Sequence, residues 1–215
     1  MASPTYRSPR DGVRLRIITV KPRHVPALEA IEIRSDTVPN ERISWHIEIQ
    51  RVSSIFIAAQ ALPPDERAGG GLRAVRSRLQ PLLRIPFQIT RRRKQGEMAG
   101  FAGISLRTTP PEVIAITTDP AWRRRGVAEL LMLHTIAIAR KRRAARVALE
   151  VRKTNAPAQA LYRKHGYEPQ RVLPSHYTDN NEDAILMHTP PLDDARYRQH
   201  LDLLHEQLKG RWEPL

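Results

Sequence analysis

Cysteine is absent from this 215-residue chain. That excludes disulfides, zinc–thiolate sites and a cysteine nucleophile, and it suits a reducing compartment such as the cytoplasm. No apolar run approaches the roughly 20 residues that a membrane-spanning helix needs. The opening MASPTYRSPRDG lacks the apolar stretch of a secretory signal. A cytoplasmic protein with no membrane partner is therefore expected. The eight histidines never fall at His-x-x-x-His or a similar spacing, so no metal site is expected. The Gly-Lys-Ser/Thr of a P-loop, the Gly-x-Ser-x-Gly of an α/β-hydrolase and any internal repeat are missing as well.

Positive charge is abundant. Thirty-six Lys and Arg against 22 Asp and Glu leave a net charge of +14, which favours polyanionic partners such as RNA or a phosphorylated cofactor. Hydrophobic residues make up 40%, enough for a single core in a chain of one-domain length.

Residues 1–12 are polar, contain Pro4 and Pro9, and read as a disordered arm. Periodicity then predicts a strand over 13–20, a helix over 25–33, a second helix over about 41–50 and a strand over 55–59. Residues 62–95 break the pattern. They combine Pro63, Pro64, Pro81 and Pro86 with Gly69, Gly70 and Gly71, and set nine cationic side chains against Asp65 and Glu66. This reads as a basic insertion between two strands, with RNA or ribosome contact as its candidate role. Strands at 98–106 and 113–118, a helix over 126–140 and a strand at 147–151 follow. A helix then opens at Asn155, with Pro157 in its first turn and Gly166 past its end. His165, next to that glycine, is expected at the surface. Strands near 167–173 and 183–188 close the domain, 13–190. A helical tail, 191–215, carries Tyr197, Leu201, Leu204 and Leu208 on one stripe, a packing face for this domain or for a dimer mate. The order of elements indicates an α/β fold with a mixed sheet.

Three segments carry candidate chemistry. Thr118-Asp119-Pro120-Ala121-Trp122-Arg123-Arg124-Arg125-Gly126-Val127-Ala128 runs from a strand through a turn into a buried helix. The first N–H groups of a helix lack internal partners and face the positive end of its dipole, so they can hold a diphosphate where side chains are small. A tight turn with solvated arginines is the plain alternative. Glu150 projects from its strand on the face opposite Val147, Leu149 and Val151. It is either ion-paired, with Arg152 or another basic residue, or a general base lining a cleft. Tyr162, in mid-helix, is either a core aromatic or a proton donor, and Asn155 can be a helix cap.

Taken together, Arg123-x-x-Gly126-x-Ala128, Leu149-Glu150-Val151-Arg152 with Asn155, Ala160-Leu161-Tyr162, Gly166-Tyr167 and Tyr177 with Glu182-Asp183-Ala184 resemble the GCN5-related N-acetyltransferase superfamily. The resemblance is to its protein N-terminal and ribosomal-protein-alanine acetyltransferases. It implies acetyl-CoA as co-substrate and direct acetyl transfer to an amine, most readily a protein's N-terminal α-amine. Ile116, Thr117 and Thr118 would line the pantetheine arm. Arg123, Arg124, Arg125, Gly126, Val127, Ala128 and Glu129 would cradle the pyrophosphate, with Asn155 beside the arm. Glu150 would be the base, Tyr162 the acid, and Tyr177 a substrate contact. The fold implied is a mostly antiparallel sheet flanked by helices. Two alternatives stand beside this reading: acetylation of a lysine or small-molecule amine, and a degenerate acetyltransferase fold serving as a basic RNA-binding module.

Overall fold

The computed structural model describes residues 3–35, 44–63 and 96–215. The basic insertion thus lies, from residue 64 onward, outside the described residues, as does the first part of the helix expected over 41–50.

Among the described residues the strands are β1 (Thr5–Arg7), β2 (Arg14–Thr19), β3 (Ser54–Leu62), β4 (Met98–Ser105), β5 (Glu112–Thr118), β6 (Ala148–Arg152), β7 (Glu168–Tyr177), β8 (Glu182–His188) and β9 (Glu213–Pro214). The helices are α1 (Val25–Arg34), α2 (Trp45–Glu48), α3 (Val127–Lys141), α4 (Ala156–Lys164) and α5 (Ala195–Lys209). The strands form one sheet in the order β7-β8-β6-β5-β4-β3-β2-β1-β9. Its described pairings are antiparallel except β5 with β6. The α/β architecture expected from the sequence is the one observed.

Each face of the sheet has its own core. On one side, Leu15, Ile57, Ala102, Leu149 and Val151 pack against Val127, Leu130, Leu131 and Ile136 of α3. On the other, Phe56, Ala58 and Phe101 pack against Val25, Leu28 and Ile31 of α1 and Trp45 of α2. β4 lies between the two cores, and all eight of its residues are buried. Its composition follows from that position. A Cβ added at Gly103 would stand 2.1 Å from Cε1 of Phe56, so only glycine leaves room for that ring.

The chain ends depart from the sequence reading. The arm expected to be disordered supplies β1, which pairs with β2 and with β9, and Tyr6 Oη bonds to His134 Nε2 on α3 at 2.7 Å. A three-residue strand is too short to show periodicity, and its pairing partner β9 lies some two hundred residues away in sequence. The tail helix packs on this domain: Tyr197, Leu201, Leu204, Leu208 and Trp212 belong to the α3 core. Its N-terminus is capped by Asp194, which accepts from the Tyr197 N–H. The described part of the second expected helix is the single turn of α2. β7 runs four residues beyond its expected end, through Pro169 and Pro174, which an edge strand tolerates. No helix among the described residues is long and apolar enough to cross a membrane.

Candidate active site

Strands β5 and β6 pair only at their beginnings, Glu112 with Ala148 and Val113 with Leu149. A register irregularity in the β4–β5 ladder between Gly103 and Ile104 leaves Ile114 as an extra residue in β5. Such bulges bend and twist a strand, and β5 diverges from β6 beyond this point. Ile114 to Thr118 are consequently only half buried in mid-sheet, and the edge of β5 toward β6 is left open. The Thr118 hydroxyl is buried there without a hydrogen-bond partner. Ile116, Thr117 and Thr118, the residues expected along a pantetheine arm, line this gap.

α3 begins at the open end of the gap. Asp119, buried, turns the chain by accepting from the Ala121 N–H at 2.9 Å and pairing with Arg34 at 2.6 Å. Arg124 (φ 61°) and Gly126 (φ 82°) both adopt left-handed backbone conformations. No side chain caps α3, whereas Asn155 caps α4 and Asp194 caps α5. Leu130 N–H is the first to bond back, to the Gly126 carbonyl at 3.0 Å. The N–H groups of Val127, Ala128 and Glu129 therefore have no partner among the described residues, at the positive end of a 15-residue helix. These unpartnered donors fit an anionic diphosphate.

The three arginines divide their roles. Arg123 donates to the Ser35 carbonyl at 2.9 Å. Arg125 pairs with Asp11 and lies against the rings of Trp122 and Trp212, and its carbonyl accepts from Trp212 Nε1 at 2.7 Å. Arg124 is exposed, without an ion pair among the described residues. Gly126 is small for a reason the sequence does not show: a Cβ there would meet Leu208 Cδ1 at 3.0 Å and Arg211 Cδ at 3.2 Å. Glu129 would repel a phosphate but is neutralised by Lys164 and by Arg211 at 2.8 Å. Burial alone would raise its carboxyl. The Lys164 hydrogen bond and the charges of Lys164 and Arg211 outweigh burial and hold it below the usual carboxylate range. Arg211 carried no signal in the sequence; only the fold of the tail brings it to α3.

On the β6 side, Leu149 and Val151 face the α3 core, and by strand alternation Glu150 and Arg152 face the opposite side. Of the basic partners expected for Glu150, Arg152 is not the one paired with it. Arg152 is drawn to the β7–β8 turn, where it donates twice to Asp179 at 2.9 Å and once to Glu182 at 3.2 Å, and it stacks on the Tyr177 ring at 3.9 Å. Glu150 pairs instead with His176, Nε2 to Oε2 at 2.5 Å. The His176 ring meets Tyr177 edge-on at 5.3 Å.

Tyr162 packs with the core of the other face, 6.0 Å from the Tyr167 ring. Burial, with a contribution from nearby Tyr177, pushes its hydroxyl well above the ordinary phenol value. Tyr177 thus lies near Tyr162 on one side and touches His176 and Arg152 on the other. No contact between Glu150 and Tyr162 is present among the described residues: Tyr162 packs in the core with α3, and strand alternation puts Glu150 on the other face. Asn155 spends its side-chain oxygen on the Ala158 N–H at 3.1 Å. His165, expected at the surface, is fully buried, with Nδ1 on the Leu161 carbonyl at 2.8 Å, because α5 covers the end of α4. Among the described residues no group of three His, Asp or Glu is placed to hold a metal ion.

Comparison with known proteins bears on family and fold. A model of the Acetyltransferase (GNAT) family matches residues 73–167. The ribosomal protein bS18-alanine N-acetyltransferase of Escherichia coli strain K12 is 37% identical over 108 residues, 49% of this chain and 71% of that protein. A Bacillus subtilis relative that bears the same name provisionally is 36% identical over 94 residues, which span 62% of its length. The crystal structure of the E. coli ribosomal-protein-S18-alanine N-acetyltransferase superposes with a TM-score of 0.60 at 25% identity, covering 83% of this chain and 94% of that one. By sequence match and by fold, the chain belongs to the GNAT family of acetyltransferases.

Proposed function

We propose that this protein transfers acetyl from acetyl-CoA to the N-terminal α-amine of a protein, with a ribosomal protein as the favoured acceptor. The observation that carries the reading is the uncapped mouth of α3 beside the gap between β5 and β6, with Glu150 on the part of β6 that does not pair with β5. The names of the E. coli and B. subtilis relatives support the choice of acceptor. Acceptor and cofactor would meet in the cytoplasm, where ribosomal proteins are made.

Acetyl-CoA, when bound, supplies the activated acyl group and a thiolate leaving group. The segment Arg123 to Glu129 would hold its pyrophosphate, chiefly through the N–H groups of Val127, Ala128 and Glu129 that have no partner among the described residues, and Ile116, Thr117 and Thr118 its pantetheine arm. The Thr118 hydroxyl, unpartnered and buried, is one donor available to it. Asn155, whose side-chain amide N–H groups donate to no partner among the described residues, would offer them to the same arm.

An ammonium cannot attack a thioester until it loses a proton. An α-ammonium, at pKa about 8, gives it up more readily than a lysine at about 10.4. Glu150, partly open to solvent, accepts that proton, directly or through water. Tyr162, like any phenol, is protonated at neutral pH, and burial keeps it so into the alkaline range; in this reading it donates to the departing sulfur. Tyr177, on the acceptor side of the gap, contacts the incoming peptide. No enzyme nucleophile is required, in keeping with a chain without cysteine.

The test is mass spectrometry of N-terminal peptides, free lysine peptides and small amines incubated with the protein and acetyl-CoA. The expected result is a 42 Da increase (about the mass of one acetyl group) confined to α-amines of the peptides. Failure of coenzyme A to bind by calorimetry would end the reading. The basic insertion, 62–95, is proposed to contact rRNA near the acceptor. Binding of RNA that is insensitive to salt, or unchanged on deleting the insertion, would remove that role.

A further inference from the structure

Glu150 sits beside a guanidinium two residues away on its own strand face, yet the fold denies it that partner. Asp179 and Glu182, from the turn joining β7 to β8, take up Arg152. Glu182 is fixed in turn by the Thr154 N–H at 2.9 Å and the Thr154 hydroxyl at 2.6 Å. A permanent cation against a carboxylate stabilises its ionised form and makes it a weaker base. The acidic turn therefore does more than bind Arg152: it keeps that charge off Glu150.

The partner that Glu150 receives arrives by an irregular route. β8 lies between β6 and β7, and Glu150 is opposite Leu186 of β8. Along β7, Leu173 pairs with Ala184 and Tyr177 with Glu182. Three residues, Pro174, Ser175 and His176, are thus set against the single residue Asp183 of β8. The excess is taken up by Ser175 in the left-handed region (φ 47°), with its N–H on Asp183 Oδ1 at 3.1 Å. Bulges of this kind re-aim side chains, and a non-glycine residue at positive φ costs on the order of 1 kcal/mol. Here the bulge swings the His176 ring across β8 to Oε2 of Glu150 at 2.5 Å. An imidazole can donate Nε2–H while remaining neutral, so it fixes the carboxylate without the permanent charge of an arginine.

We propose that His176 is a positioning residue for Glu150: it holds Oε2 and leaves Oε1 to take the acceptor's proton. This rests on the reading of Glu150 as the base. In the step itself one N–H bond of the acceptor ammonium breaks and one O–H bond forms on Glu150.

The experiment is steady-state kinetics of the full chain with acetyl-CoA and an N-terminal peptide, for wild type, Glu150→Gln, His176→Gln, His176→Phe and His176→Arg, each checked by thermal melting. Glutamine retains an N–H donor without charge, and is expected within about threefold of wild type in kcat. Phenylalanine removes the donor and should lower kcat about tenfold. Arginine supplies a permanent cation and should lower it about a hundredfold, toward the loss for Glu150→Gln, which general-base contributions place at ~100-fold or more. KM for acetyl-CoA should stay within about twofold throughout. A wild-type kcat for His176→Phe, equal losses for glutamine and phenylalanine, or an arginine variant as active as glutamine would each overturn the proposal. If Glu150→Gln is impaired and the His176 variants are not, only the positioning role is lost. An unimpaired Glu150→Gln takes the base and its partner down together.

Discussion

Gly126→Ala separates two reasons for a glycine at the head of α3. One is approach of a phosphate; the other is the tail of the protein. Gly126 has φ 82° and ψ 11°, a conformation that costs an L-residue about 1–2 kcal/mol. The new methyl would also stand 3.0 Å from Leu208 Cδ1 and 3.2 Å from Arg211 Cδ. Leu208 is buried, so relieving the contact shifts a packed side chain, at roughly 1 kcal/mol. A total of about 2–3 kcal/mol corresponds to a fall in melting temperature of roughly 5–10 °C for a chain of this size. Coenzyme A affinity, measured by calorimetry below the transition, should change less than about threefold, because the methyl points at α5. Gly126→Asn should recover part of the loss, since asparagine tolerates the left-handed conformation but keeps the contact. An unchanged melting temperature together with a tenfold weaker affinity would refute this reasoning and return the glycine to the phosphate.

Tyr162→Phe should lower kcat while leaving coenzyme A affinity within about twofold; unchanged turnover would eliminate its acid role. Its phenol is raised, so it stays protonated through the alkaline range, and no loss of activity between pH 8 and about 10 should trace to it. Comparing the pH profiles of wild type and Tyr162→Phe checks this. His134, pushed down to about 4 first by burial and then by the charges of His205 and Lys141, binds its proton later in the folded than in the unfolded chain. Stability should therefore be complete above about pH 6.5 and fall as the pH drops toward 4, by up to about 3 kcal/mol. In His134→Gln that part of the acid slope, followed by urea unfolding at stepped pH, should disappear. Gly103→Ala should abolish soluble folded protein, because its methyl would overlap the Phe56 ring inside the sheet; a cooperative melt within a few degrees of wild type would contradict the packing described.

The segments readable from the sequence were those whose signals are local. Proline in the first turn, an Asn155 cap and a terminal Gly166 mark α4 to within a residue, and the apolar face of 127–139 marks α3. The pairing of Glu150 was not readable. Its side of the strand follows from alternation, but its partner depends on two acidic residues diverting Arg152 and on a bulge 26 residues downstream. His165 read as surface because the residue before a terminal glycine usually faces solvent, and nothing nearby announces that Tyr197 will lie over it. Arg125 read as one of three similar cations. Trp212 and Asp11, from the two ends of the chain, set it apart.

Within the sheet, the ladder between the panel β6-β8-β7 and the panel running from β5 to β9 is confined, among the described residues, to Glu112 and Val113 of β5. The groups proposed for the nucleotide end of the cofactor lie beside the larger panel, and Glu150 and Tyr177, proposed for the acceptor, lie on the smaller. A seam so short lets a lineage, or an engineer, rebuild the β7–β8 hairpin for a different amine while the grip on the acyl donor is left as it was. The short seam makes donor and acceptor separately inheritable.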